Sequence, residues 1–258
     1  MQVSSAHRII GILGAMPEEI TGILGLISDR TEETIGMRTY HVGFIHGKRV
    51  VVAFSRWGKV AAATTVATMI QRYGVTELLF TGVAGGIGTD LHIGDIVLAE
   101  RLIQHDMDAR PIIPRFEVPL LGQSFFYSRH EAKEKIFSCL QDMLEKKSMH
   151  EILSEDSIQR FSLHQPKVII GDIASGDRFF ASGDEKENLK KFLPSTACVE
   201  MEGAAVAQVC FEHGLPFLVV RIISDTASDD SPADFKSFVR DIATAYSREI
   251  IDRVMNIM

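Results

Sequence analysis

Leu78-Leu79-Phe80-Thr81-Gly82-Val83-Ala84-Gly85-Gly86-Ile87-Gly88 runs from a short apolar stretch into a cluster of glycines. The apolar part predicts a buried strand over 78–81. Glycines at the C-terminal edge of a strand let the main chain approach a ligand closely. A dinucleotide-binding turn is excluded, because no helical pattern follows. Asp90-Leu91-His92-Ile93-Gly94-Asp95 leads instead straight into a second strand, Ile96-Val97-Leu98-Ala99. The surrounding chain alternates short apolar runs with helical patterns, so the expected fold is α/β, a mixed central β-sheet flanked by helices.

Toward the N-terminus, Ile9-Ile10-Gly11-Ile12-Leu13 predicts a strand. Gly14-Ala15-Met16-Pro17-Glu18-Glu19 then predicts a tight turn into a helix, with Pro17 at the first helical position. Residues 38–45 and 49–54 read as strands joined by a hairpin turn at His46-Gly47-Lys48, and 59–73 as an Ala-rich helix. Toward the C-terminus, Pro111, Pro114 and Pro119 make 109–123 a long irregular loop. Residues 130–146 predict an amphipathic helix, 147–166 a polar surface excursion, 167–174 and 217–223 strands, and 233 onward a closing amphipathic helix. No repeat or linker divides the chain, which predicts one domain over 1–258 with a flexible N-terminus at about 1–8.

The 258 residues are 46% hydrophobic and 24% charged, which suits one large globular domain. A net charge of −7 disfavours nucleic acid as a partner. No apolar run reaches the ~18 residues of a membrane span, and the first residues lack a signal-peptide layout. The three cysteines, Cys139, Cys198 and Cys210, have no metal-type spacing, and the odd count disfavours a disulfide framework. A cytoplasmic location is expected. His105-Asp106-Met107-Asp108 has the donors for a metal, but no further ligands stand out, so neither metal nor cofactor is expected.

Cys198-Val199-Glu200-Met201-Glu202-Gly203 sets two acids where an apolar strand meets a small-residue helix. Carboxylates beside buried chain are costly unless something pairs with them or uses them. A helix N-terminus favouring acids through its dipole is one reading. A ribose whose hydroxyls bond to a carboxylate is another. Four polar groups fall at strand ends: Met16 to Glu19; Gly82 to Gly86; Ser175 to Phe180 with Glu200 and Glu202; and Ser224-Asp225. Ligands bind outside such ends, so together they predict one pocket. There is no P-loop, nucleophile elbow or zinc signature. Carboxylates without metal or nucleophile point to acid/base work on a glycosidic or similar bond.

Eight pieces occur in order: Ile-Gly-Ile-Leu-Gly-Ala-Met-Pro-Glu-Glu-Ile, Gly-Lys-Val-Ala-Ala-Ala, Thr-Gly-Val-Ala-Gly-Gly, Gly-Asp-Ile-Val, His-Asp-Met-Asp, Ala-Ser-Gly-Asp-Arg-Phe, Val-Glu-Met-Glu-Gly and Val-Arg-Ile-Ile-Ser-Asp. Together they resemble the bacterial 5′-methylthioadenosine/S-adenosylhomocysteine nucleosidases of the nucleoside phosphorylase superfamily, from about residue 9 to 258. The resemblance implies hydrolysis of the N-glycosidic bond of an adenine nucleoside, without metal or cofactor. It implies Asp225 as the general acid toward N7 and Glu19 as the group that orients and deprotonates water. Glu202 would accept from the ribose hydroxyls, Met201 would pack on the sugar and Phe179 would stack on the purine. Backbone at Phe180 would read the purine edge, and Phe235 would line the 5′-thio end. Ala109 and Ile112 of a second subunit would complete that end, which implies a homodimer. Met16, Val83, Ala84, Gly85 and Ser224 complete the expected lining. Glu200 is more readily scaffolding, and Arg221 is expected to pair with Glu202 or Glu200.

Three positions depart from the family's commonest pattern. Val83 stands where many members have a serine that helps hold the catalytic aspartate, which throws Asp225 onto Ser224 and backbone. Trp57 and Phe180 add bulk near the ribose and 5′ side, and some relatives act on 6-amino-6-deoxyfutalosine. A phosphorylase is the nearest rival. Phosphate needs cationic partners, whereas Phe80 stands where phosphorylases place an arginine, and Glu19 would repel the dianion. A nucleoside-binding protein on a retired enzyme scaffold is the rival from another class, and the joint presence of Glu19, Glu202 and Asp225 counts against it.

Overall fold

The structure, a computed structural model, describes residues 8–146, 149–163, 165–227 and 231–258. The expected flexible N-terminus falls, apart from Arg8, outside the described residues. The first strand, β1 (Ile9–Gly14), is followed by α1 (Pro17–Leu24), with Pro17 in its first turn. An edge strand, β2 (Ser28–Ile35), precedes β3 (Arg38–Ile45) and β4 (Lys48–Phe54). His46 and Gly47 both have positive φ, 48° and 72°, as the tight hairpin between β3 and β4 requires. Helix α2 (Lys59–Tyr73) stops at Gly74, whose left-handed conformation (φ 68°) closes the helix end.

The decisive stretch departs from expectation in an instructive way. Its glycines are not a loop beyond the strand: β5 (Glu77–Gly86) runs through them, buried along its whole length. Strand β6 (Ile96–Gln104) is likewise longer than its apolar run. A short β7 (Phe125–Tyr127) pairs with it after the irregular segment. Then come α3 (Lys133–Lys146), α4 (Met149–Ile152), α5 (Glu155–Arg160) and β8 (Val168–Ser175). The 147–166 stretch, expected to be a polar surface excursion, carries the two short helices, and its Leu153, Ile158, Phe161 and Leu163 are buried in a core. Its sparse apolar residues were enough, because only one side of each short helix needs to face inward. Helix α6 (Gly183–Phe192), β9 (Thr196–Glu200), α7 (Gly203–Glu212) and β10 (Phe217–Asp225) follow. The closing helix is not continuous. Helix α8 (Ser231–Phe238) passes through a π-helical turn at Val239–Ala243 into α9 (Thr244–Ile257).

The strands form one mixed sheet in the order β10-β6-β8-β9-β5-β1-β4-β3-β2, and β10 also pairs with β5. The strands β5, β10, β6, β8 and β9 therefore close into a ring. Strand β10 is parallel to β5 but antiparallel to β6, and β9 joins β5 through only Gly85↔Val199 and Gly86↔Cys198. Two layers of helices cover the sheet. One core joins Ile20, Ile136, Leu140, Ile250 and Val254 to one face. The other joins Ala62, Val66, Ala204, Val206 and Cys210 to the opposite face. The alanines of α2 and α7 let these helices lie close against the sheet. Cys198 and Cys210 are small, fully buried core residues with free thiols.

Candidate active site

The C-terminal ends of β1, β5, β8, β9 and β10 meet around a pocket open to solvent. It is lined by Met16, Glu19, Trp57, Val83, Ala84, Gly85, Phe179, Phe180, Glu200, Met201, Glu202, Ser224, Asp225 and Phe235, all expected at the site. Ala15, Arg178 and Val199 line it as well. Arg221 does not; it lies beneath the floor. Ala109 and Ile112 do not line the cavity of their own chain, and Ile112 is 88% exposed.

Glu19 sits in the first turn of α1, where an acid is ordinarily a solvated partner of the helix dipole. Here it is 1% exposed. Its Oε2 accepts from the Ala15 and Met16 N–H groups at 2.5 and 3.0 Å, and its Oε1 from Val83 N–H at 3.1 Å. One carboxylate thus caps α1 and anchors β5. Gly82 makes this possible, since a Cβ there would stand 2.8 Å from Glu19 Oε1. Burial raises the Glu19 pKa, with Arg221 and the three N–H donors opposing it.

The two acids of the Glu200-Met201-Glu202 step have divided the work. Glu202 is the N-cap residue of α7 but its side chain makes no cap hydrogen bond. Glu200 caps instead, accepting from Glu202 N–H at 3.1 Å and from Gly203 N–H at 2.8 and 3.0 Å. Ser175 Oγ accepts from Ala204 N–H at 2.7 Å and itself donates to Glu200. Arg221 Nη2 donates to Glu200 Oε2 at 2.7 Å, while its guanidinium stacks 3.9 Å from the centre of the Phe80 ring. Of the two partners expected for Arg221, the structure selects Glu200. Glu202 is left to the cavity, where its Oε1 accepts from Gly58 N–H at 2.7 Å. Burial first, then the charge of Glu200, pushes its pKa up to about 8.

Asp225 closes β10. Its Oδ1 accepts from Ala227 N–H and its Oδ2 from the Ser224 hydroxyl, both at 2.9 Å. A Cβ at Gly85 would come within 3.0 Å of Asp225 Oδ1, so this glycine too is required by a close approach. The apolar wall is a row of aromatic rings in edge-to-face contact. Trp57 packs on Phe235 with centroids 5.9 Å apart, and Phe235 on Phe179 at 5.3 Å. Trp57 remains 55% exposed at the mouth.

Gly58 also serves the site but was not singled out from the sequence, and Ser175, expected only as the start of a strand-end group, holds Glu200. Gly58 takes φ +95°, a conformation open to glycine, just before α2, and this aims its N–H at Glu202. Among the described residues no cluster of three or more His, Cys, Asp or Glu could hold a metal. Asp106 of the His-Asp-x-Asp run pairs with Lys59 Nζ at 2.6 Å and accepts from Asp177 N–H at 3.0 Å. No helix among the described residues is long and apolar enough to cross a membrane.

The pocket, lined by four acids and an aromatic wall, sits in a chain that resembles known proteins in sequence and fold. Residues 9–256 fit the sequence pattern of the Phosphorylase superfamily. The chain is 38% identical over 233 residues to an aminodeoxyfutalosine nucleosidase of Helicobacter pylori, covering 89% of this chain and 90% of that one. It is 34% identical over 235 residues to a 5′-methylthioadenosine/S-adenosylhomocysteine nucleosidase of Shewanella baltica, covering 89% of each. Among solved structures it superposes on the futalosine hydrolase of Helicobacter pylori with a TM-score of 0.82 and 34% identity, over 99% of this chain and 100% of that one. The chain therefore belongs to the phosphorylase superfamily, and within it to the nucleosidases, the enzymes that hydrolyse the N-glycosidic bonds of nucleosides.

Proposed function

We propose that this nucleosidase acts on adenine nucleosides with a 5′-thio substituent, 5′-methylthioadenosine and S-adenosylhomocysteine, releasing adenine and the thio-ribose. The observation that carries the reading is that Glu19, Glu202 and Asp225 face one cavity beside an aromatic wall. Asp225 hands a proton to N7, so that adenine leaves as a neutral base. Ser224 and Ala227 N–H fix its two oxygens, which supplies the hold that a serine in place of Val83 would give. Glu19, its proton affinity lifted by burial, takes the proton of a water that attacks the sugar carbon. Glu202 accepts the ribose hydroxyls and, once ionised, stabilises the positive charge that develops on the sugar. Phe179 stacks on the purine, the Phe180 backbone reads its edge and Met201 underlies the sugar. Phe235 borders the 5′ end, and Ala109 and Ile112 of a second copy in a homodimer close it. The exposed Ile112 and the exposed Val60 of α2 support that last element.

Trp57 favours a second reading. An exposed ring beside Phe235 adds contact surface for a larger 5′ group, as in 6-amino-6-deoxyfutalosine, and relatives of both kinds match this chain comparably. The experiment compares adenine release from 5′-methylthioadenosine, S-adenosylhomocysteine, 5′-deoxyadenosine and 6-amino-6-deoxyfutalosine, with and without phosphate. Equal rates with and without phosphate are expected, and the best kcat/KM names the substrate. Strict dependence on phosphate overturns hydrolysis.

A further inference from the structure

Between β5 and β10 the register runs Ile223↔Ala84 and then Asp225↔Gly85, skipping Ser224. Such an irregularity turns a side chain out of its regular direction and weakens the local ladder. It is what aims Asp225, and something has to hold the chain beyond it. Lys186, from the otherwise polar helix α6, reaches this point. Its Nζ donates to the carbonyl of Gly86, the last residue of β5, at 3.1 Å, and to the carbonyl of Thr226, next after Asp225, at 2.9 Å. Setting an ammonium on two main-chain carbonyls in a half-buried position is costly unless the geometry is wanted. Burial lowers the pKa of Lys186, with Lys190 acting the same way and Glu187 and Asp225 opposing.

The neighbouring residue does a parallel job on the other wall. Glu185 accepts from Ala181 N–H at 3.0 Å and pairs with Arg178, which fixes the 178–181 segment that carries Phe179 and Phe180. We propose that Lys186 is a positioning residue for Asp225, strapping β5 to the residue after the acid across the irregular register, while Glu185 positions the aromatic segment. Two adjacent side chains of one surface helix thus hold the acid and the aromatic wall separately.

The inference rests on the nucleosidase reading, and its test has one arm that does not depend on turnover. Hydrogen exchange of the 224–227 amides in the full chain is expected to be at least tenfold faster in Lys186→Met than in wild type, and near wild type in Lys186→Arg. Unchanged exchange in Lys186→Met overturns the strap whether or not any nucleoside is turned over. With an accepted nucleoside, Lys186→Met is expected to lower kcat at least tenfold with KM within threefold. Lys186→Arg restores kcat to within threefold. Glu185→Gln is expected to do the reverse, raising KM at least threefold with kcat near wild type. In an Asp225→Asn background Lys186→Met adds less than twofold. The same kinetic change in both single variants, or a full further loss in the Asp225→Asn background, overturns the assignment. Absence of turnover by wild type on all four nucleosides counts against the proposed function alone, and the exchange measurement still decides on Lys186.

Discussion

Strand β5 begins at a single buried acid and ends beside several, and the two ends are built on opposite terms. At its start Glu77 is gripped by Arg8, with Nη2 2.8 Å from Oε2, and by His130 Nε2 at 3.0 Å. His130 Nδ1 accepts from Ala132 N–H at 3.2 Å, so Nε2 carries the proton that Glu77 receives. Burial by itself would raise the Glu77 pKa, but His130 and Arg8 outweigh it and hold the carboxyl below its usual range. At the other end of the strand Glu19 and Glu202 receive main-chain N–H groups, and the buried guanidinium of Arg221 pairs with Glu200. Both pKa values go up. One end of the strand pairs its acid with cations; the other raises the proton affinity of its acids, as the proposed acid/base work requires.

Substitutions separate these two ends. The largest effect is expected at Asp225→Asn and Glu19→Gln, where adenine release falls roughly 10²–10⁴-fold while the circular dichroism spectrum stays that of wild type. Wild-type turnover in either variant would remove that residue from the mechanism. Next comes Glu202→Gln. The folded pKa of about 8 lies above the unfolded value of 4.5, so folding holds a proton that the unfolded chain releases. Stability contributed at Glu202 is therefore lost as pH rises from about 4.5 to about 8. The glutamine variant is expected to be more stable than wild type at pH 8, on the order of a few kcal/mol, with the gain fading toward pH 4.5 and catalysis impaired throughout. Thermal denaturation across that range checks it, and a gain independent of pH would break the argument.

Glu77→Gln carries the opposite sign. A carboxyl with a depressed folded pKa stabilises above its unfolded value, and that contribution is lost as pH falls through the folded one. The variant is expected to lose about 1–3 kcal/mol at neutral pH, with the deficit shrinking on acidification and kcat unaltered. A fall in kcat without a fall in stability would erase the contrast between the two ends. The smallest effect is at the mouth. Trp57→Ile removes one edge-to-face ring contact, worth ~1 kcal/mol. The ratio of kcat/KM for the nucleosides with larger 5′ groups to that for 5′-methylthioadenosine is expected to drop about three- to tenfold. An unchanged ratio would take Trp57 out of specificity.

The sequence made the periodic elements plain and hid those whose character comes from neighbours. Helix α2 was legible to its end residues because its alanines keep one periodic face. Strand β2, Ser-Asp-Arg-Thr-Glu-Glu-Thr-Ile, was not, because an edge strand exposed on both sides has no apolar alternation to read. Helix α6 escaped for the same reason, with Leu189 its single buried side chain. The glycines of β5 read as a loop because their buried pairing is supplied by β10 and β9, far away in the chain. At the site, acids at strand ends were visible as candidates, and Glu202 was already preferred over Glu200 for the sugar. The cause of that division was not visible, since Ser175 and Arg221 arrive from β8 and β10 to hold Glu200.

The two-pair junction of β5 with β9 makes the five-strand ring a hoop whose clasp is at the mouth of the cavity. Gly85 and Val199 on either side of that clasp both line the pocket. A nucleoside bound there leans on both halves of the fastening at once. Under the proposed function, substrate is expected to latch the ring of strands as well as meet the acids, and amide protection on binding is expected first at this seam.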